Sequence, residues 1–219
     1  MTDDTSQEYS EYISKDDEKE MNTQEFDLTE VSEHSERVRQ AAFAALMAAL
    51  SLASAPIASV IPRIPGWEIA LFDPVSFFWI IAFLVGGYFV GMTTMFAGTM
   101  GLFFFDPSGV GPIFKLMATF PMIVIPWLAV RHAKKHERGL KLSSLRVYTT
   151  LMFIAMIVRL CIMVPTNLVM VPILYGDIWT ASFIISYAVI LNVSQSFWDA
   201  LIPYLIVHKS HLFKRFGMW

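Results

Sequence analysis

Three charged side chains stand inside long apolar stretches of this 219-residue sequence. They are Lys115, Arg159 and Asp199. Ionisable groups within membrane-spanning segments are costly, and they are candidates for ligand binding or ion pairing. Lys115 lies near the end of its stretch, so it is either a ligand contact or a side chain that extends to the membrane surface. Arg159 lies deeper, and it is either a structural partner of Asp199 or a ligand-binding group.

Carboxamide side chains add to this set on the last two apolar stretches of the chain. Asn167 precedes Pro172 and Tyr175 on one stretch, and Asn192 and Gln195 belong to a polar break in the next. A single amide is explained by hydrogen bonding between helices, whereas several amides on different helices favour a polar pocket. We predict an outward-facing pocket bounded by the last three spans. Its substrate-binding candidates are Asn167, Asn192, Gln195, Lys115, Tyr175 and Asp199.

The sequence offers little metal or catalytic chemistry. His132 and His136 have helical spacing, but they stand among basic residues whose charge opposes a bound cation. The sequence has no phosphate-cradling glycine-rich loop ending in Lys-Ser or Lys-Thr, and no Ser/His/Asp set on one apolar stretch. We predict that this chain is not an enzyme, has no metal site or cofactor of its own, and binds no nucleic acid.

The composition indicates that a helical membrane domain holds these groups. The chain is 55% hydrophobic and 16% charged, against about 45–50% and about 25% in soluble domains. Its single cysteine, Cys161, excludes a disulfide-stapled fold. The apolar stretches are close to or longer than the roughly 20 residues that cross a bilayer. They are Ala41–Ile61, Val75–Phe105, Ile113–Val130, Val147–Leu174 and Ile178–Val207.

The number of spans depends on Val75–Phe105, which is long and contains the turn signal Gly86-Gly87. It is either one tilted span or two short ones. Arg37 and Arg39 lie just before the first stretch, six basic residues lie between residues 131 and 146, and three follow the last stretch. The positive-inside rule places those segments and both termini in the cytoplasm. An even count is then required, so we predict an all-α integral membrane protein with six transmembrane helices.

Residues 1–36 differ sharply from the membrane domain at residues 37–219. They hold 13 acidic and two basic residues, a net charge of −11, whereas the remainder has a net charge of +8. Their few large apolar side chains cannot offset the entropy of ordering. We expect a disordered cytoplasmic tail, for which a solubilising role is favoured over a regulatory or partner-binding role.

Small residues form one face of the first span. Ala41, Ala45 and Ala49 recur at a spacing of four, which lets another helix approach closely. Two interpretations stay open. The face packs within the same bundle, or it docks a separate membrane subunit.

Together these features resemble the substrate-binding S-components of energy-coupling-factor (ECF) vitamin transporters. The resemblance covers roughly residues 37–216 and is carried by the six predicted spans with cytoplasmic ends, the alanine face, and Asp73-Pro74 before a short second span. One further string is similar to the family's junction between the second and third helices. It reads Ile81-Ala82-Phe83-Leu84-Val85-Gly86-Gly87-Tyr88-Phe89-Val90-Gly91.

Within that family the riboflavin-binding branch is the most similar. The stretch from Asn167 through Pro172 to Tyr175 resembles the end of that branch's fifth helix. The stretch from Asn192 to Gln195 resembles its Asn-x-x-Lys motif, although Gln195 replaces the lysine. The resemblance implies that Asn167 and Asn192 contact the ligand, and the substitution at Gln195 puts that third contact in doubt.

The resemblance also implies a function and partners. An S-component of a prokaryotic cell membrane captures its vitamin from outside and associates with a transmembrane coupling subunit and two ATPase subunits that use ATP. The alanine face would dock the coupling subunit. Riboflavin or a related flavin is the first expectation for the ligand, and another vitamin or precursor is the second.

Two other classes of protein remain as alternatives. A membrane enzyme acting on a lipid or prenyl substrate would need several carboxylates in the membrane for metal–diphosphate chemistry, and few are present. A purely structural membrane partner would have its polar groups paired with each other and no cavity.

Overall fold

The computed structural model describes residues 34–57, 72–176, 178–210, 213 and 218–219, without the side chains of Lys135 and His136. The acidic tail lies almost wholly outside these residues. The helices are α1 (His34–Ile57), α2 (Val75–Leu102), α3 (Val110–Val130), α4 (Lys135–Ser143), α5 (Leu145–Tyr175) and α6 (Ala181–Tyr204), and α6 continues into a π-helical turn, Leu205–Lys209.

Five of the described helices are long and apolar enough to cross a membrane. They are α1, α2, α3, α5, and α6 with its π-helical turn. Prolines lie inside α3, α5 and α6, which membrane helices tolerate because neighbouring groups satisfy the freed backbone atoms. The protein is therefore a multi-pass, all-helical membrane protein.

The helix α2 folds back on itself at Gly87. This residue has φ 84° and ψ −174°, a conformation that only glycine adopts without strain. Trp79 packs on Gly98, and Phe83 packs on Gly91. In a straight helix, residues 79 and 98 would lie about 28 Å apart. Residues 75–86 and 88–102 therefore run side by side in opposite directions, and we call this pair the α2 hairpin.

The α2 hairpin forms the centre of the bundle and runs alongside α3. At its tip, the Tyr88 ring stacks on Trp127 near the end of α3, with 4.1 Å between ring centroids. At its open end, Asp73 forms an ion pair with Lys115 near the start of α3. The hairpin thus reaches from one end of α3 nearly to the other, which explains why α2 is the most buried of the apolar helices.

The tip of the hairpin leaves backbone carbonyls without helical partners, and residues from the far end of the sequence satisfy two of them. The Met218 amide donates to the Val85 carbonyl at 2.9 Å. The Trp219 indole N–H donates to the Leu84 carbonyl at 2.8 Å. The Trp219 ring also packs edge-on against Phe83. These contacts complete the end of a helix that would otherwise expose unpaired carbonyls.

The basic segment between α3 and α5 contains the helix α4, which the sequence analysis did not predict. Glu137 lies in its first turn and Lys141 in its last, the arrangement that complements a helix dipole. Leu142 is buried against the core, while Leu140 is exposed. Because the segment is highly charged, this short amphipathic helix was not evident from the sequence.

Candidate functional site

A cavity of about 320 Å³ lies near the open end of the α2 hairpin, among α1, α3, α5 and α6. The pocket expected between the last three spans is thus present as a cavity, which α1 and the hairpin also help to line. Its lining combines apolar walls with a few polar side chains, as small-molecule sites do. The polar lining residues are Asp73, Ser76, Asp106, Lys115, Thr119, Arg159, Asn167, Asn192 and Gln195.

Arg159 organises the inner end of this cavity. From α5 its guanidinium donates three hydrogen bonds of 2.8 Å to side chains of α6, reaching Asn192 Oδ1, Gln195 Oε1 and Asp199 Oδ2. The planar guanidinium suits this task, because it presents several donors in a fixed geometry. One α5 side chain therefore fixes a row of three polar α6 side chains.

Asp199 neutralises Arg159 and ties both to the α2 hairpin. Both side chains are buried, and a buried charge is tolerated only when it is paired and hydrogen-bonded. The second carboxylate oxygen of Asp199 accepts a hydrogen bond of 2.6 Å from the Ser76 hydroxyl. The alternative in which Arg159 is a structural partner of Asp199 is thus realised, although Arg159 also lines the cavity.

The amide groups of the cavity have defined orientations. Because Asn192 Oδ1 accepts from Arg159, its Nδ2 is the donor, and it bonds the Ala188 carbonyl at 2.8 Å. Asn167 Nδ2 donates to the Met163 carbonyl at 2.7 Å, which turns its Oδ1 away from its own helix backbone. Arg159 is the donor-rich group of the cavity, and Asn167 is an acceptor.

A second ion pair lies beside the cavity, between Lys115 of α3 and Asp73 just before α2. The other oxygen of Asp73 accepts the backbone N–H of Val75 at 3.0 Å. The Lys115 side chain is partly buried, and its ammonium group is paired with the Asp73 carboxylate. The two cations of the cavity, Lys115 and Arg159, each have their own carboxylate, so neither is an unpaired site for an anionic ligand.

Asp106 lies at the cavity rim, in the connection between α2 and α3. The Ser108 hydroxyl donates to this carboxylate and holds its pKa below the usual value. The Gly111 amide also donates to it, at 3.0 Å, at the start of α3. Negative charge at a helix N-terminus is favourable, so Asp106 fixes the beginning of the helix that carries Lys115.

Four of the six predicted binding residues line the cavity, namely Lys115, Asn167, Asn192 and Gln195. Asp199 lies behind them as the counter-ion of Arg159. Tyr175 is 62% exposed at the end of α5 and does not line the cavity.

Ser76 and Thr119 also line the cavity but were not among the predicted binding residues. Both are small hydroxyl side chains in otherwise apolar stretches. This was the only sequence signal available for them.

The alanine face of α1 points away from the described bundle. Ala41, Ala45 and Ala49 are exposed, while Ala44 and Ala48 are buried against the other helices. Among the described residues, these three alanines therefore do not pack against the other helices. Nothing in the described part of the chain covers this face.

The described residues contain no group of three or more His, Cys, Asp or Glu side chains that could hold a metal ion. No protein-family model, curated protein or solved structure matches this chain.

Proposed function

We propose that this protein is the substrate-binding membrane subunit of an ECF-type, ATP-driven vitamin importer in a prokaryotic cell membrane, with riboflavin or a related flavin as its ligand. The observation that carries the proposal is the cavity beside the α2 hairpin. Its volume of about 320 Å³ falls within the range of about 300–1,000 Å³ that is common for small-molecule sites. Another vitamin or precursor is the second choice of ligand.

The polar lining supports a neutral ligand with hydrogen-bonding groups at its edges. Donors at the inner end, supplied by Arg159, suit ring carbonyls or ring nitrogens. The acceptor at Asn167 and the hydroxyl of Thr119 suit a polyhydroxylated chain, and Phe114 and Met163 supply apolar walls. A flavin carries this combination of an acceptor-rich ring and a hydroxylated side chain.

The proposal includes six membrane crossings with both termini in the cytoplasm. It is supported by the fold-back at Gly87, because a hairpin adds an even number of crossings to the four contributed by α1, α3, α5 and α6. The hairpin also runs along most of α3, between the Asp73–Lys115 pair and the Tyr88–Trp127 stack. Two crossings by the hairpin give six.

The exposed alanine face of α1 is the proposed docking site for a transmembrane coupling subunit that joins two ATPase subunits. A face of small residues allows close helix packing, which is the main force of association within lipid. Leu46 and Leu50 flank the face and are exposed as well. The proposed partner would cover this surface.

The direct test is to purify the protein from cells and to identify any bound yellow chromophore by absorbance and mass spectrometry. Titration of ligand-free protein should quench flavin fluorescence. We expect Asn167→Leu to weaken binding by about fivefold to tenfold, the value of one hydrogen bond with an unsatisfied ligand group.

Thr166→Val is the matched control for that variant. Its hydroxyl bonds the Ile162 carbonyl of its own helix, and the residue does not line the cavity. Purified protein that carries no flavin and does not quench flavin fluorescence at micromolar concentration would refute the assignment of the ligand. A different copurified vitamin would replace riboflavin but keep the class.

A further inference from the structure

A second cavity, separate from the proposed vitamin site, lies as a groove between the outer faces of α5 and α6. Its volume is about 270 Å³, and most of its lining is apolar. It begins at Leu145, where α5 starts, and extends about three helical turns. The lining residues are Leu145, Tyr148, Thr149, Met152, Phe153, Met156, Val193, Ser196, Phe197, Ala200, Leu201 and Tyr204.

Two tyrosines form a rigid wall at the start of this groove. The rings of Tyr148 and Tyr204 lie 4.9 Å apart between centroids. The Tyr148 hydroxyl donates to the Ala200 carbonyl, and the Tyr204 hydroxyl donates to the Ser143 carbonyl, each at 2.9 Å. Both phenols are therefore held in place, so the groove has a fixed shape.

One polar atom of the groove is left without a partner. Ser196 is 2% exposed, and its hydroxyl makes no hydrogen bond within the described part of the chain. A buried hydroxyl without a partner is unfavourable. A ligand that places an acceptor atom in the groove would satisfy it.

The groove starts at a basic end. Arg146 is exposed and lies two helical turns before Phe153, so it projects from the same face of α5. Lys141, near the end of α4, is also exposed. Positive charge at this end suits an anionic group.

The depths of Arg146 and Ser196 match the layers of a bilayer leaflet. The helix α5 has 31 residues and is about 46 Å long, whereas the hydrocarbon core is about 30 Å thick. A centred α5 therefore places about 8 Å of each end among the headgroups. Arg146 falls at the depth of lipid phosphates. Tyr148 contacts Ala200, so the antiparallel α6 brings Ser196, one turn before Ala200, to about the level of Met152. This level is about 10 Å from the start of α5, at the depth of the ester carbonyls.

We propose that this groove binds an anionic phospholipid of the surrounding bilayer. Its phosphate lies at Arg146, an ester carbonyl accepts a hydrogen bond from the Ser196 hydroxyl, and one acyl chain extends toward Met156 and Val193. Phe153 and Phe197 also line the groove, and both are more than half exposed, so they offer apolar surface to the acyl chain.

The test uses the full chain in nanodiscs that contain equal amounts of phosphatidylglycerol and phosphatidylcholine with identical acyl chains. Native mass spectrometry after gentle release counts the lipids that stay bound. We expect phosphatidylglycerol to be enriched about fivefold, the factor that one basic side chain contributes near an anionic lipid surface. Arg146→Gln should bring the ratio close to one. Ser196→Ala should lower retention of both lipids.

Two matched control variants and one blocking variant test whether lipid retention depends on the groove. Arg131→Gln removes an exposed charge outside the groove, and Thr150→Val removes a hydroxyl that bonds the Arg146 carbonyl of its own helix. Neither should change lipid retention. Ala200→Leu should fill the groove and displace the lipid, while circular dichroism confirms the helical fold of each variant.

Equal retention of both lipids by the natural protein would overturn the proposal. An Arg131→Gln effect as large as that of Arg146→Gln, or a groove occupied by a protein segment in a cross-linking experiment, would overturn it as well.

Discussion

Removing the negative charge of Asp199 tests how the inner end of the cavity is held. Asp199→Asn keeps the shape of the side chain but leaves Arg159 buried without a counter-ion. Breaking a buried ion pair costs about 3–5 kcal/mol. We expect the lower end, about 3 kcal/mol, because the new amide oxygen still accepts a hydrogen bond. This corresponds to about a hundredfold change in the folding equilibrium.

A double variant separates the loss of the pair from the penalty of one unpaired charge. Replacing Arg159 and Asp199 together by leucine removes both charges, and apolar replacements of buried ion pairs are often neutral. The amide oxygens of Asn192 and Gln195 then lose their donor from Arg159, at about 1 kcal/mol each, while the Ser76 hydroxyl keeps the Asp73 carbonyl as an acceptor. We expect the stability of the double variant to lie between that of Asp199→Asn and that of the natural protein.

The assay is unfolding by increasing mole fraction of denaturing detergent, followed by far-ultraviolet circular dichroism, with flavin titration of the folded protein. Glu137→Gln, on an exposed turn of α4, is the control and should change stability by less than about 0.5 kcal/mol. Both charge variants should bind ligand poorly, since Arg159 orients two lining amides. Asp199→Asn with unchanged stability, or a double variant less stable than the single one, would refute the reasoning.

Three further predictions concern the fold and the proposed partner. Gly87→Ala should lower the free energy of unfolding by about 1–3 kcal/mol, because its positive φ is strained for any other residue; an unchanged unfolding midpoint would contradict the fold-back. Ala45→Leu should abolish copurification of a coupling subunit without altering flavin binding, and normal copurification would remove the docking proposal. With the natural cysteine replaced, Ser108→Cys should react with an impermeant maleimide in intact cells, whereas Thr5→Cys should not. Equal labelling of both positions would contradict six crossings.

The membrane segments and the ion pair between Arg159 and Asp199 could be inferred from the sequence. Long apolar runs predict helices because no other regular structure satisfies its backbone alone in lipid. The pairing of Arg159 with Asp199 was one of two options, since a deep charge needs a partner. The glycine pair at residues 86–87 indicated a turn, and the structure places the positive φ at Gly87.

Other parts of the site were beyond sequence reasoning, because they depend on contacts between distant residues. Ser76 meets Asp199 across 123 positions of the chain, and nothing near either residue indicates the other. Tyr175 was a candidate for the pocket, yet α5 carries it to an exposed end. Lys115 meets Asp73 because the open end of the α2 hairpin lies beside the start of α3. No local sequence pattern indicates that contact.

The contact between the hairpin tip and residues 218–219 has a consequence for how the protein is made. The Leu84 carbonyl accepts a hydrogen bond from Trp219, which is synthesised 135 residues later. At about 5–20 residues per second, that delay is about 7–27 seconds. During this interval the two tip carbonyls lack the donors that they have in the folded protein. Trp219→Phe, which removes the indole donor, should therefore reduce the yield of inserted protein before it affects ligand binding.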